Sequence, residues 1–381
     1  MNPTNKTNRR HFLQTSGVSA VGASLGLTGC GDSSESVSTD GKPFAGQTLR
    51  VFVYSGAWEK GFRESFVPIF EKKTGATVIP DPGWWDSIPK LKASPPDQPA
   101  FDLVLTDATQ GYPAIDEGMF QQLDFSKIPN VERMPASVLD NRVAKDRYGI
   151  TFPESVMTLG YNRTLLDSEP MNWGNLMDEK VSGKLGLYNS FYMSLYTLAC
   201  MKVASEGRPG EASAEVANNL QGVIDFARSQ RDRVKLWWPT STDMALNLAQ
   251  KNCALGNMHS SDMLIALRDQ PDLGAVVPED DVAFVLLMWV IPTGTARTEL
   301  AHEAINVLLS DEVQEGFARA GSGTAILPVA RKMAAEDSAW GKIYPSTEAD
   351  LAKVAYYPYD TYMPNWDSIS EVWDREILRK G

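Results

Sequence analysis

From residue 48 onward the apolar positions of the chain switch between two periods. Residues 49–54, Leu-Arg-Val-Phe-Val-Tyr, are a short, largely apolar run and predict a strand. Residues 58–73 follow with Phe62, Phe66, Ile69 and Phe70 three and four apart, which places them on one face of a helix, and Gly75 supplies the stop. The pattern continues with a strand over 76–80, a short helix over 86–93, a strand over 101–105 and a helix over 112–118. Short apolar strands alternating with helices predict a parallel sheet covered on both faces. The same grammar returns after a break. Residues 155–161 and 184–188 read as strands, 191–204 and 214–229 as helices, and 234–238 and 253–258 as strands with a helix over 242–250 between them. A long apolar strand over 283–292, helices over 299–309 and 311–320, and an amphipathic helix over 368–378 complete the chain. Two α/β lobes of similar size, each a mostly parallel sheet flanked by helices, fit this order better than one large sheet. No internal repeat is evident.

In open parallel sheets a ligand crevice lies beyond the carboxyl ends of the strands, because the change in strand order leaves a gap there. That rule nominates residues without any motif. In the first half it selects Tyr54, Ser55 and Trp58, then Trp84 and Trp85, then Asp107 and Thr109. In the second half it selects Asn189 and Ser190, then Thr240 and Asp243, then the turn His259-Ser260-Ser261-Asp262, from which His259 is the candidate. Asp107 follows a buried strand and precedes a helix, so it suits both a helix N-cap and a ligand contact. Two adjacent tryptophans in an extended segment point to opposite sides. One of Trp84 and Trp85 is therefore expected to face the crevice, where an aromatic face receives a cation or an apolar body.

Composition and charge narrow the function. The chain has 381 residues, 43% hydrophobic and 22% charged, enough for two domains with proper cores. Its net charge of −12 excludes the concentrated Lys/Arg field that nucleic-acid binding requires. The longest apolar run, 282–292, is shorter than the roughly 20 residues of a membrane helix. The N-terminus is different: Arg9-Arg10-His11-Phe12-Leu13 precedes an apolar stretch over 18–29 that contains no acid. This profile is that of an export signal, and the paired arginines resemble the twin-arginine type, which carries folded proteins. Leu27-Thr28-Gly29-Cys30 resembles the lipobox of bacterial lipoproteins, which implies lipidation at Cys30. Residues 1–29 then form the signal peptide and 30–45 a Ser/Gly-rich tether. Cleavage removes Lys6, Arg9 and Arg10 and no acid, so the mature net charge becomes −15. Cys200 and Cys253 remain, and their spacing is equally compatible with a disulfide and with two buried thiols.

A set of fragments in a fixed order resembles the substrate-binding proteins of bacterial ABC importers, most nearly the spermidine/putrescine type. They are the lipobox and tether, Tyr54-Ser55-Gly56-Ala57-Trp58, the run 70–78, Phe101-Asp102-Leu103-Val104, Leu159-Gly160-Tyr161-Asn162, the run 181–185, Ile291-Pro292 and the run 327–332. The resemblance implies the two-lobed periplasmic-binding-protein type II fold with its cleft between lobes. It places lobe I at 46–152 plus 286–326 and lobe II at 153–285 plus 327–381, with chain crossings near 152–155, 282–286 and 325–328. Glu154 sits at the first crossing and Ser322, in Gly321-Ser322-Gly323, just before the third, and both are candidate ligand contacts. The implied partners are a membrane permease and its ATPase, with the twin-arginine translocase and lipoprotein-processing enzymes acting on the way to the envelope. A monomer is expected and no cofactor.

The relatives' polyamine does not carry over with the fold. Polyamine binders in the family place carboxylates on lobe II and on the long inter-lobe strand. Here the matching positions read Asn189-Ser190 and Phe284-Val285-Leu286-Leu287-Met288, and a Trp expected after the strand ending at 258 is His259. Asp107, by contrast, stands where the family usually has a small hydroxyl residue. Unpaired buried charge costs several kcal/mol, so the expected solute is a small polar or amine-bearing molecule held by Asp107 and aromatics rather than spermidine. Two other readings are weighed. Ferric-binding relatives use adjacent tyrosines, which makes Tyr356 and Tyr357 with His259 an alternative metal set. A lipid-tethered envelope hydrolase is the other, although the chain has no Gly-x-Ser-x-Gly elbow, no His-Glu-x-x-His and only three histidines.

Overall fold

The computed structural model describes residues 41–152 and 155–378. The signal segment, Cys30, the tether up to residue 40 and Glu154 lie outside them. The strands in chain order are β1 (Thr48–Tyr54), β2 (Thr77–Gly83), β3 (Leu103–Asp107), β4 (Phe120–Gln121), β5 (Gly149–Phe152), β6 (Met157–Asn162) and β7 (Leu185–Tyr188). They continue with β8 (Val234–Trp238), β9 (Leu255–His259), β10 (Leu273–Val276), β11 (Val282–Phe284), β12 (Leu287–Pro292) and β13 (Val354–Tyr356).

Two sheets organise the chain. The first runs β2-β1-β3-β12-β4, with β5 also paired to β12; the second runs β10-β6-β9-β7-β8. In the first sheet, β1 is parallel to β2 and β3, while β12 is antiparallel to β3, β4 and β5. In the second, β7 is parallel to β8 and β9, while β6 is antiparallel to β9 and β10. Both sheets are therefore mixed, which corrects the expectation of mostly parallel ones. The reason lies in the connections. Helical crossovers enforce parallel neighbours, but β12 enters the first sheet directly from the segment after the second, with no crossover helix to set its direction.

The expected long strand over 283–292 is two strands. Leu287 N–H donates to the Val285 carbonyl at 3.0 Å, closing a tight turn at Leu286. β11 lies before the turn and pairs with β13 as a separate ribbon; β12 lies after it in the first sheet. The expected helix over 214–229 is likewise two, Ala212–Asn218 and Leu220–Gln230, because Asn219 takes φ −144° and its side chain caps the second.

The helical stretch from Ala57 to Thr74 follows its prediction, with one wide turn over Phe62–Phe66. Phe62, Phe66 and Phe70 form a ladder with ring centroids 4.6 and 4.9 Å apart, and Phe62 stacks on Trp289 of β12 at 5.8 Å. All four side chains are fully buried. Gly75 ends the helix at φ +76°, a left-handed conformation in which its N–H reaches the Glu71 carbonyl at 2.9 Å. Phe66→Ala is expected to lower the unfolding free energy by about 3–5 kcal/mol, whereas Ile79→Ala, at a side chain 49% exposed, should leave it nearly unchanged. Equilibrium denaturation of the two variants tests this.

Candidate functional site

The carboxyl ends of β1, β3, β7 and β9 face a cleft of about 420 Å³. Asp107 ends β3 and caps the helix Ala108–Asp116. Its Oδ1 accepts the Thr109 N–H at 2.8 Å and the Thr109 hydroxyl, and its Oδ2 accepts the Tyr54 hydroxyl at 2.9 Å. Asp107 is only 3% exposed, so these donors replace the water it has lost. Burial, reinforced by the Asp107 charge, pushes the Tyr54 hydroxyl pKa well above its usual range and keeps it a donor. Trp84 stacks on Tyr54 with centroids 5.4 Å apart. Trp84 and Trp85 are 58% and 52% exposed and both line the cleft, so each of the pair contributes a face to its rim. Trp58 is buried beneath them against Phe152, Trp289 and Phe317.

The facing wall comes from the second sheet. Tyr188 ends β7, stacks on Trp238 at 4.2 Å and meets His259 edge-on at 5.4 Å. Its backbone N–H donates to Asn257 Oδ1 at 2.8 Å, and the buried Asn257 amide in turn donates to Ser194 and Thr197. His259 ends β9; loss of hydration pushes its imidazole pKa below the ordinary 6.5, although Asp262 pulls the other way. Asp262 lies in the first turn of the helix Ser260–Asp269, and Ser260 at its start binds the crossing segment through its backbone and hydroxyl at Val156. Tyr192 and Met193, from the first turn of the helix Phe191–Ser205, and Ser155, Val285 and Leu287, from the crossing segments, complete the wall.

The lining thus carries two carboxylates, Asp107 and Asp262, aromatic rings on both walls, and no lysine or arginine among the described residues. Both carboxylates act on Tyr188, whose hydroxyl pKa is raised first by burial, then by Asp262 and Asp107. Such a surface favours a cation and disfavours an anion.

Of the residues nominated from sequence, Tyr54, Ser55, Trp58, Trp84, Trp85, Asp107 and His259 meet in this cleft. The other described candidates sit elsewhere. Thr109 supports Asp107 from behind and faces a separate groove with Pro113 and Met363. The Asn189 carbonyl holds the Trp373 indole N–H at 3.0 Å, and the Ser190 carbonyl accepts the Ser194 N–H at 3.1 Å. Thr240 caps the helix Ser241–Ala249 and donates to Asp243 at 2.6 Å, so this pair is spent on the helix start. Ser322 is fully buried and its carbonyl accepts the Trp340 indole N–H at 3.0 Å. Tyr356 donates to the Val138 carbonyl at 2.8 Å, and Tyr357 is buried against Tyr192, Tyr196 and Tyr359; neither lines the cleft with His259. Among the described residues there is no cluster of three or more His, Cys, Asp or Glu able to hold a metal ion, and Cys200 and Cys253 are free buried thiols.

Two contributions escaped the sequence reading, and a third was not singled out from its turn. Tyr188 is the last residue of its strand, one position before the turn that the crevice rule selected. Tyr192 lies one helical turn beyond it. Asp262 belongs to the nominated turn, yet it is the carboxylate of the second wall that the family's usual positions lacked.

Residues 66–349 match the family model described as bacterial extracellular solute-binding protein. The chain belongs to this solute-binding family. No curated protein matches it in sequence. Solved structures of similar fold include the spermidine/putrescine ABC transporter substrate-binding protein PotD from Streptococcus pneumoniae, 18% identical with TM-score 0.69, covering 86% of this chain and 98% of that one. An ABC transporter substrate-binding protein from Bradyrhizobium japonicum is 17% identical with TM-score 0.71, covering 87% and 100%. The Atu4243–GABA receptor is 16% identical with TM-score 0.70, covering 88% and 99%. At these identities the likeness shows the shared two-lobed fold, and in this solute-binding protein the cleft joins the two sheets of that fold.

The lowered His259 pKa couples the stability of the fold to pH. The folded pKa lies below the unfolded value, so the unfolded chain takes up the proton first as pH falls, and the stability His259 contributes above about pH 6.5 is lost on acidification. Between about pH 7.5 and about pH 5.5 the wild-type protein should therefore lose more unfolding free energy than His259→Gln; parallel losses in urea titrations would remove the assignment.

Proposed function

We propose that this chain is the solute receptor of an ABC importer and captures a small amine-bearing organic solute between its lobes for delivery to a membrane permease powered by an ATPase. The observation that carries the reading is the cleft itself: Asp107 and Asp262 from opposite walls, aromatic faces around them, and no lysine or arginine in the lining among the described residues. Asp107 is held by Tyr54 and Thr109 before any solute arrives, so its binding geometry is preset and little ordering entropy is spent on capture. An ammonium group reaching Asp107 lies beside Tyr54 and Trp84, and closure of the second wall brings Asp262 and Tyr188 onto its other side. A solute that contacts the second wall only in the closed form shifts the population toward that form. The polyamine and GABA named for two structural neighbours are amines and support this class of solute.

The lobes in this reading are 46–152 with 286–326 and 153–285 with 327–381. Their division is supported by the passages of the chain between the two sheets at 152–157 and 276–287. The arginine pair, the apolar stretch over 18–29 and Cys30 support export through the twin-arginine route and lipid anchoring in the envelope.

Putrescine, spermidine, GABA and opine-type amino-acid derivatives form the test panel, read by thermal shift and calorimetry. At least one should raise the melting temperature in a concentration-dependent way. Asp107→Asn, which keeps the helix cap but removes the charge, and Asp262→Asn should each weaken that binding roughly 10- to 100-fold, the worth of a hydrogen bond to a charged group. A panel that leaves the melting temperature unmoved, or an anionic solute bound more tightly than every amine, overturns the reading. Trp84→Ala should weaken binding of the same amine about fivefold through loss of its ring face, measurable by the same titration.

A further inference from the structure

The aromatic segment near the C-terminus, which plays no part in the cleft lining, is tied to Asp107 through one residue, Leu286. Leu286 is the apex of the turn between β11 and β12, and both of its backbone groups point away from the strands. Its carbonyl accepts the Ala108 N–H at 3.0 Å, the first amide after Asp107. Its N–H donates to the Tyr359 hydroxyl at 3.2 Å. On one side of the turn Leu287 sits opposite Asp107 in the β3–β12 register, and on the other Val285 lines the cleft. Tyr359 is 2% exposed, and its ring packs against Tyr112 of the Asp107-capped helix at 5.9 Å and Tyr192 of the cleft's second wall at 6.1 Å.

We infer that Tyr359 is a positioning residue for solute binding: its hydroxyl fixes the turn at Leu286 through the Leu286 N–H, and the Leu286 carbonyl seats the helix start on which Asp107 is presented. The inference rests on the amine reading of the cleft for its effect on affinity, but its structural half does not. Buried backbone amides are almost always bonded. Without the hydroxyl, the Leu286 N–H has no acceptor, the turn loosens and Asp107 is held by Tyr54 and Thr109 alone. Tyr362 provides the matched comparison, because it is fully buried on the same segment and its hydroxyl has no hydrogen-bond partner.

The experiment compares Tyr359→Phe with Tyr362→Phe in the full-length protein. In the solute-free form, hydrogen exchange over 106–112 should speed up in Tyr359→Phe and match wild type in Tyr362→Phe. With putrescine as the probe in calorimetry, Tyr359→Phe should raise Kd about three- to tenfold and Tyr362→Phe leave it unchanged. In an Asp107→Asn background, Tyr359→Phe should add little further loss, since it acts through Asp107. Equal exchange and equal Kd in the two variants, or a full additive loss in the double variant, would overturn the assignment. If putrescine and every other amine of the panel fail to bind the wild-type protein, the amine reading is what fails, and the exchange comparison still decides the role of Tyr359.

Discussion

A carboxylate buried to 3% exposure survives in a folded protein only when donors surround it, and the arrangement at Asp107 follows from that constraint. Three donors converge on it from two elements: Tyr54 from the end of β1, and the hydroxyl and amide of Thr109 from the helix it caps. To bring them together, β1 and β3 must be adjacent and parallel, with both carboxyl ends at the same edge, as the register between Val51 and Leu103 provides. Tyr54 then offers its ring to Trp84, so the electrostatic and aromatic parts of the cleft are built on one side chain.

The second wall solves a related problem with neutral groups. Asn257 is fully buried and satisfies its side chain with the Tyr188 amide, Ser194 and Thr197, which locks the end of β7 to β9 and to the helix Phe191–Ser205. Tyr188 is aimed by this network and by stacking on Trp238. Loss of hydration pushes the imidazole pKa of its neighbour His259 down against the pull of Asp262, which disfavours a positive charge on this wall.

Much of the strand–helix order and the crevice residues of the first wall were legible in the sequence because they depend on local periodicity and on one rule about strand ends, whereas the short strands β4, β5, β10 and β13 lie outside the runs read as strands. Tyr54, Trp84 and Asp107 each follow directly from that rule. What periodicity does not encode is strand direction. The antiparallel placement of β12 depends on where the chain comes from, and an apolar run reads the same in either direction. The turn at Leu286 was hidden for a similar reason, since Val285-Leu286-Leu287 is as apolar as the strands around it and the break is made by backbone hydrogen bonds. Thr240 illustrates the opposite error: a polar residue at a strand end is also what a helix start requires.

The position of β12 sets the order in which the molecule can be completed. It is the strand that joins β3 to β4 and β5, yet it is separated from them in sequence by all five strands of the second sheet. A chain emerging from the ribosome can assemble β1, β2 and β3 early, but β4 and β5 have no neighbour in the sheet until residues 287–292 appear. The second sheet is fully synthesised before the first can close. The cleft between them consequently cannot form before residues 287–292 are made, and its formation is a property of both sheets together rather than of either one.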